Sequence, residues 1–286
     1  MAQSLDALIS AEQLALQLAQ PNPPVVLDCR FSLQDAQAGR NAYLQQHIPS
    51  AQYADLDQQL SDPVQKGVTG RHPLPSEQRL LAAMQTWGIN TEQAVVVYDQ
   101  NNGAMAAARA WWLLRYAGVQ QVQVLNGGLD AWIAAGQLCN TGEEAAKVTI
   151  DHANIKPSWQ TDWLYDAQQI IQQQPNLLDA RGIERFAGEV EPIDPIAGHI
   201  PNAQCLPFTQ LVDVTGRFLP KTELKTQLEA QALDSSKPLV AYCGSGVTAC
   251  HLILAYVIAG LPEPKLYAGS WSEWITDTTR PVATGR

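Results

Sequence analysis

The stretch Lys237-Pro238-Leu239-Val240-Ala241-Tyr242-Cys243-Gly244-Ser245-Gly246-Val247-Thr248 decides how the rest of the chain is read. Pro238 to Tyr242 is a short apolar run, the mark of a buried strand, and from Val247 to Ala259 the pattern turns helical, with Val247, Leu252, Ala255, Tyr256 and Ala259 near one face. Between strand and helix, Gly244 and Gly246 permit a turn tight enough for successive backbone N–H groups to point at one spot. The unsatisfied N–H groups of the helix face that same spot. Cys243 stands at the mouth of this nest, where amide dipoles and a helix N-terminus favour a thiolate. A cysteine that merely ended a core strand would need neither the two glycines nor the hydroxyls of Ser245 and Thr248 around it.

Working outward, the order of elements around this loop occurs twice. Ser10, with Gln13 in the reciprocal position, caps a helix running to about Ala19, which Pro21, Pro23 and Pro24 stop. The strand Val25 to Leu27 then ends in Asp28-Cys29-Arg30 and is followed by a polar segment and His47-Ile48-Pro49. An irregular stretch from Ser50 to Pro75 precedes a helix from Ser76 to Trp87, the strand Ala94 to Tyr98, a helix from Ala104 to Tyr116, the strand Val122 to Leu125 and a helix containing Trp132. In the second half, a helix around Asp166 to Gln174 leads into Leu178-Asp179-Ala180-Arg181, His199-Ile200-Pro201 answers His47-Ile48-Pro49, and Trp274 answers Trp132. Asp28 and Asp179 are 151 residues apart, His47 and His199 152, Asp99 and Cys243 144, and Trp132 and Trp274 142. A slow drift of this kind is what a duplicated domain with unequal loops produces.

Alternating short apolar strands and helices predict an α/β fold in each half, a mostly parallel sheet flanked by helices. The linker falls between Cys139 and Pro157, giving domains at 1–145 and 146–286, and a crevice between two such domains is the expected place for a site. Where the second half has Cys243-Gly244-Ser245-Gly246, the first has Asp99-Gln100-Asn101-Asn102. An aspartate there accepts backbone hydrogen bonds but cannot exchange sulfur, so the first domain is expected to be catalytically inactive.

Composition narrows the partners. The chain of 286 residues carries 18 basic against 28 acidic residues, a net charge of -10 with no basic run, which excludes a nucleic-acid surface. No signal peptide or bilayer-length apolar run is readable. Five cysteines, without a Cys-x-x-Cys pair, point to reduced thiols in a cytoplasmic setting, with ordinary packing the expectation for Cys29, Cys139, Cys205 and Cys250. No metal-ligand spacing, dinucleotide fingerprint or phosphate loop appears, so no metal or cofactor is expected.

The residues around the thiol narrow the chemistry. A cysteine phosphatase needs an arginine six positions beyond the nucleophile, and here that position is Ala249. Papain-like and thioredoxin-like readings lack their partners near the loop. Thiol exchange remains, in which Cys243 takes up a sulfur as a persulfide and passes it to a second nucleophile.

With these residues in view, the chain resembles the two-domain rhodanese-type sulfurtransferases of the 3-mercaptopyruvate/thiosulfate group over nearly its whole length. Cys243-Gly244-Ser245-Gly246-Val247-Thr248 is similar to the loop of the mercaptopyruvate branch, whereas thiosulfate enzymes typically carry Arg and Lys where Gly244 and Ser245 stand. The Leu-Asp-x-Arg segments at 27–30 and 178–181, Gly198-His199-Ile200-Pro201 and Ala268 to Trp274 fit as well. The resemblance implies tandem rhodanese-like domains, the first inactive, with Gly244, Gly246, Val247 and Thr248 lining the substrate loop and Arg185 binding the donor carboxylate. It further implies that Ser245 works with a histidine and an aspartate contributed by the first domain; by context these are His72 and Asp57, a relay able to protonate the enolate left when sulfur departs. Thr248 either caps the helix or donates to the persulfide. The branch also has an arginine in a Glu-Pro-Arg segment; here the segment is Glu191-Pro192-Ile193-Asp194, and Ile193 cannot make that contact. The implied partners are a small-molecule sulfur donor, a thiol or cyanide acceptor and a thioredoxin-like reductant. The repeated His47 and His199 are read as loop anchors, the repeated Asp and Arg pairs as strand-end salt bridges, and Trp271 and Trp274 as packing.

Overall fold

The computed structural model of the chain describes residues 6–104, 106–145 and 155–286; the middle of the predicted linker, with the 145/146 boundary at its edge, lies outside the described residues. The described residues fall into two compact units. The first comprises those in Met1–Asp62, Pro75–Gln160 and Val214–Phe218, and the second those in Pro63–Leu74, Thr161–Asp213 and Leu219–Arg286. Residues 63–74 thus precede the whole of the second half in sequence and yet belong to its unit.

In the first unit the elements run β1 (Leu8–Ile9), α1 (Ala11–Leu18), β2 (Val25–Asp28), α2 (Ala38–Gln45), β3 (Gln52–Tyr53), α3 (Glu77–Trp87), β4 (Val95–Tyr98), α4 (Ala107–Tyr116), β5 (Val122–Leu125) and α5 (Gly128–Ala134). The Ser10/Gln13 capping box is present. The sheet order is β1-β5-β4-β2-β3, and its strand pairings are parallel. Both β2 and β4 are buried at every position, which is why they read as unbroken apolar runs instead of alternating ones. Helix α4 starts three residues later than its pattern predicts, because Asn102 Oδ1 takes the Ala104 N–H and Gly103, at φ +75, gives its own N–H to Asp99.

The second unit runs α6 (Ala167–Gln173), β6 (Asn176–Asp179), α7 (Ile183–Ala187), β7 (Ala203–Cys205), α8 (Lys221–Glu229), β8 (Leu239–Tyr242), α9 (Thr248–Ala259), β9 (Lys265–Leu266) and α10 (Ser270–Trp274). Its sheet order, β7-β6-β8-β9, is again parallel. The chain leaves β6 toward one edge and β8 toward the other, so the order reverses between their carboxyl ends. That is the place where open parallel sheets present ligand-binding loops, and Cys243 is the first residue after β8. In the first unit Asp99, after β4, occupies the matching position.

The repeated motifs do repeated structural work. Asp28 is fully buried and receives Arg30 Nε at 3.0 Å and Nη2 at 2.7 Å; Asp179 receives Arg181 Nε at 3.0 Å and Nη2 at 2.6 Å. Each arginine also caps a distant carbonyl, Gln46 O or Gly198 O. Burial opposes the Arg181 charge, but Asp179 more than restores it and holds the guanidinium above its ordinary value. His47 and His199 each bond a carbonyl through Nδ1, Tyr43 O at 2.7 Å and Phe186 O at 2.8 Å, and stack on the ring of that same residue. They anchor loops, as their symmetry predicts. Trp271 and Trp274 pack in the second core with Leu177, Val240 and Tyr242.

Removing one partner of a buried pair leaves the other charge stranded. We expect Asp179→Ala to lower the stability of the second unit, and Asp28→Ala that of the first, by about 3–5 kcal/mol each. Urea unfolding followed by a probe in each unit checks this, and a loss below about 1 kcal/mol in both would show that the pairs are not structural.

Candidate active site

The loop after β8 is held from beneath by α10. Trp271 N–H donates to Cys243 O at 3.0 Å, Ser272 N–H to Gly244 O at 2.9 Å, and Cys243 N–H to Ser270 Oγ at 3.1 Å. The first unit repeats the clamp, with Leu129 and Asp130 N–H groups on the carbonyls of Asp99 and Gln100. Ser270 adopts φ +54 to reach this position.

Cys243 Sγ accepts the Gly246 N–H at 3.2 Å, so the predicted nest presents an amide to the sulfur. Gly246 sits at φ +76, and a Cβ there would lie 2.3 Å from Ala268 O; only glycine fits between the two strands' loops. On its other side, Cys250 Sγ donates to Gly246 O at 3.3 Å. Burial and Asp179 push the Cys205 thiol up to about 12, and burial raises the Cys29 thiol well above its ordinary value; neither behaves as a nucleophile near neutral pH.

Ser245 Oγ lies 2.8 Å from His72 Nδ1, both side chains being largely buried. His72 belongs to the same compact unit as Cys243, through the 63–74 segment, whereas Asp57 belongs to the first unit. There the turn is capped by Asp55, whose Oδ1 receives the N–H groups of Asp57 and Gln58, while burial first and Asp55 second raise the Asp57 carboxyl above its ordinary value. Thr248 does not cap α9: it is the first helical residue, the N-cap position is taken by Val247, and no side chain caps it. The chain enters the helix from Gly246 in the left-handed region and Val247 in the right-handed one, which places the threonine past the capping position.

Arg185, in α7, is gripped by Glu191, with contacts of 2.8 to 3.2 Å from Nε and Nη2 to both carboxylate oxygens, and its Nη2 reaches Asp194 Oδ2 at 3.1 Å. Burial alone would raise Glu191, but the Arg185 fork and the N–H groups of Asp194 and Ile193 outweigh it and hold the carboxyl low. For Asp194 the balance is opposite, and burial leaves its carboxyl raised despite Arg71 and Arg185. Arg71 pairs with Asp194 Oδ1 through Nη1, and its backbone N–H donates to Ser272 Oγ at 3.0 Å. Sequence reasoning gave no role at the site to Arg71, Asp194, Ser270 or Ser272. Only the acidic residues flanking Ile193 hinted that further cations come near. Among the described residues no group of three or more His, Cys, Asp or Glu side chains could hold a metal, and no helix is long and apolar enough to cross a membrane.

This geometry, a thiol in a backbone nest beside a serine–histidine pair and two guanidinium groups, suits transfer of a group to and from sulfur. The rhodanese-like domain model matches residues 10–135 and 160–277. The chain is 51% identical to a probable 3-mercaptopyruvate sulfurtransferase of Pseudomonas aeruginosa, covering 97% of this chain and 98% of the relative. It is 41% identical to a putative thiosulfate sulfurtransferase, SseB, of Mycobacterium tuberculosis, with 97% of each covered. Among solved structures, the 3-mercaptopyruvate sulfurtransferase SseA of Escherichia coli superposes with a TM-score of 0.79 at 30% identity, over 93% of this chain and 99% of that one. Two rhodanese-like domains, each a parallel sheet flanked by helices, make up the chain, and it belongs to the rhodanese family.

Proposed function

We propose that the chain is a sulfurtransferase that takes sulfur from 3-mercaptopyruvate onto Cys243 and passes it to cyanide or a thiol. The observation that carries this reading is the Cys243 sulfur held by the Gly246 amide in the loop whose Ser245 meets His72. The Cys243 thiolate attacks the donor sulfur, an S–S bond forms, and the C–S bond breaks with its electrons left on carbon as the enolate of pyruvate. The proton of the donor thiol ends on that carbon, giving pyruvate and the ionised persulfide. Ser245 and His72 supply a path for it, and Asp57 is the proposed third member of the relay. In the second half-reaction the acceptor attacks the outer sulfur and the Cys243 thiolate leaves. Gly244, Val247 and Thr248 wall the loop around the larger sulfur, and Arg185 takes the donor carboxylate. A thiol acceptor would itself be kept reduced by a thioredoxin-like partner.

Thiosulfate is the second donor to test, favoured by the two guanidinium groups beside Gly244, which suit a sulfite leaving group as well as a carboxylate. Side-by-side kcat/KM values with one acceptor decide. We expect 3-mercaptopyruvate to be preferred by at least about tenfold, the ratio that one additional charge-assisted contact provides. A preference for thiosulfate would reverse the donor assignment, and slow turnover of both, with loading only from a partner protein, would make the chain a persulfide carrier.

A further inference from the structure

Gly244 is the residue next to the sulfur, and two arginines from distant parts of the second unit converge on it. A Cβ built on Gly244 would lie 2.8 Å from Arg71 Nη2 and 3.6 and 3.7 Å from Arg185 Nη1 and Nη2. One carboxylate spans the two guanidinium groups: Asp194 Oδ1 holds Arg71 Nη1 and Asp194 Oδ2 holds Arg185 Nη2. Its side chain is 4% exposed, so the bridge is fixed inside the protein. Arg71 Nη2 and Arg185 Nη1, the ends nearest Gly244, donate to no protein group among the described residues, and Arg71 Nε is buried without a partner. The backbone of Arg71 is pinned by Ser272, the same residue that pins Gly244 O. Ile193 is 42% exposed and its N–H goes to Glu191, so nothing at that position competes for the place.

We propose that Arg71, held by Asp194, is the second guanidinium of the donor site, forming with Arg185 a clamp for the carboxylate of an α-keto thiol at Gly244. This rests on the reading of Cys243 as the sulfur acceptor. The clamp that a Glu-Pro-Arg segment would supply from position 193 is supplied here from residue 71, and Asp194 sets the spacing of the two forks. Each oxygen of the ligand carboxylate takes an N–H from one arginine, which leaves the thiol-bearing carbon turned toward Cys243.

The test is a cycle of enzyme and donor. Arg71→Gln and Arg71→Lys are assayed with 3-mercaptopyruvate and with mercaptoacetone, the same keto thiol without its carboxylate, and thermal melting checks the fold of each variant. A charge-assisted contact predicts a 10- to 100-fold loss of kcat/KM for Arg71→Gln with 3-mercaptopyruvate, mostly in KM. Lysine, a point charge without the fork, should recover part of it. With mercaptoacetone the penalty should shrink to less than about threefold, since there is no carboxylate left to couple to. An equal loss with both donors would make Arg71 a structural residue, and an unchanged KM would remove it from the site; either overturns the clamp while leaving the Cys243 chemistry standing. Wild-type protein with no Cys243-dependent turnover of either donor would instead overturn the reading on which the clamp rests.

Discussion

Cys243→Ser is expected to reduce donor-dependent sulfur transfer by at least about four orders of magnitude, the scale of loss when a covalent nucleophile is removed and only binding contacts remain. The reaction needs an atom that forms and releases an S–S bond, and a hydroxyl can do neither at neutral pH. The loop itself should survive the change. The contacts that clamp it to α10 are Trp271 N–H to Cys243 O, Ser272 N–H to Gly244 O and the Ser270 hydroxyl on the Cys243 N–H, none of which uses the thiol, and the one contact that does, from the Gly246 N–H, can be accepted by a serine oxygen. A melting temperature within about 3 °C of wild type is therefore expected, corresponding to under about 1 kcal/mol. Mass spectrometry after exposure to donor should find one added sulfur atom in wild type and none in the variant. The other thiols do not substitute: Cys205 is pushed up to about 12 and Cys29 well above its ordinary value, both chiefly by burial. Turnover retained by the serine variant, or a persulfide mapped to Cys205 or Cys250, would sink the thiol mechanism.

What the sequence reveals and what it hides follow from how local each feature is. The strands β2, β4, β6 and β8 are visible because a parallel strand covered on both faces must be apolar throughout, and the cap at Ser10 is visible because a capping box is decided within four residues. The duplication is visible because both copies keep the same Asp–Arg pair and the same histidine anchor. The edge strands β1, β3 and β7, two or three residues each, carry too little pattern to register, and the five-residue helix α7 is shorter than the period that would betray it. At the site, Cys243 and the glycines of its loop are legible from their spacing, and the role of Ser245 from the family resemblance. The placement of residues 63–74 in the second unit is not, since no periodicity within an irregular stretch states which core it will join. Arg71 is the residue lost by that blindness: its partner Asp194 is 123 positions away, and the ion pair exists only once the segment has been placed. His72 was found because a family pattern marks it, and the arginine beside it has no such mark.

Gly246→Ala should be the most damaging substitution in the loop that leaves the sulfur in place. Two costs add. At φ +76 an L-residue with a Cβ is strained by about 1–2 kcal/mol, and the added methyl would stand 2.3 Å from Ala268 O and 3.1 Å from the carbonyl carbon and Cα of the same residue. These are backbone atoms of the loop between β9 and α10, so relief means parting the segment that carries Ser270 and Ser272 from the one that carries Cys243. Overpacking of that kind typically costs a further 1–3 kcal/mol, for a total of roughly 2–5 kcal/mol. The melting transition of the second unit should fall by about 6–15 °C, with kcat/KM reduced at least about 100-fold because the Gly246 amide no longer meets the sulfur. Gly244→Ala makes the informative contrast. Its new methyl would press on the end of the Arg71 side chain at 2.8 Å, with Arg185 in ordinary contact at 3.6 and 3.7 Å, so relief shifts a side-chain tip and parts no backbone segments. That variant should keep its melting temperature and lose affinity for the carboxylated donor, so that stability and donor recognition separate between two glycines two residues apart. Wild-type stability and turnover in Gly246→Ala would mean that the left-handed turn and the close approach to Ala268 are not what shapes the nest.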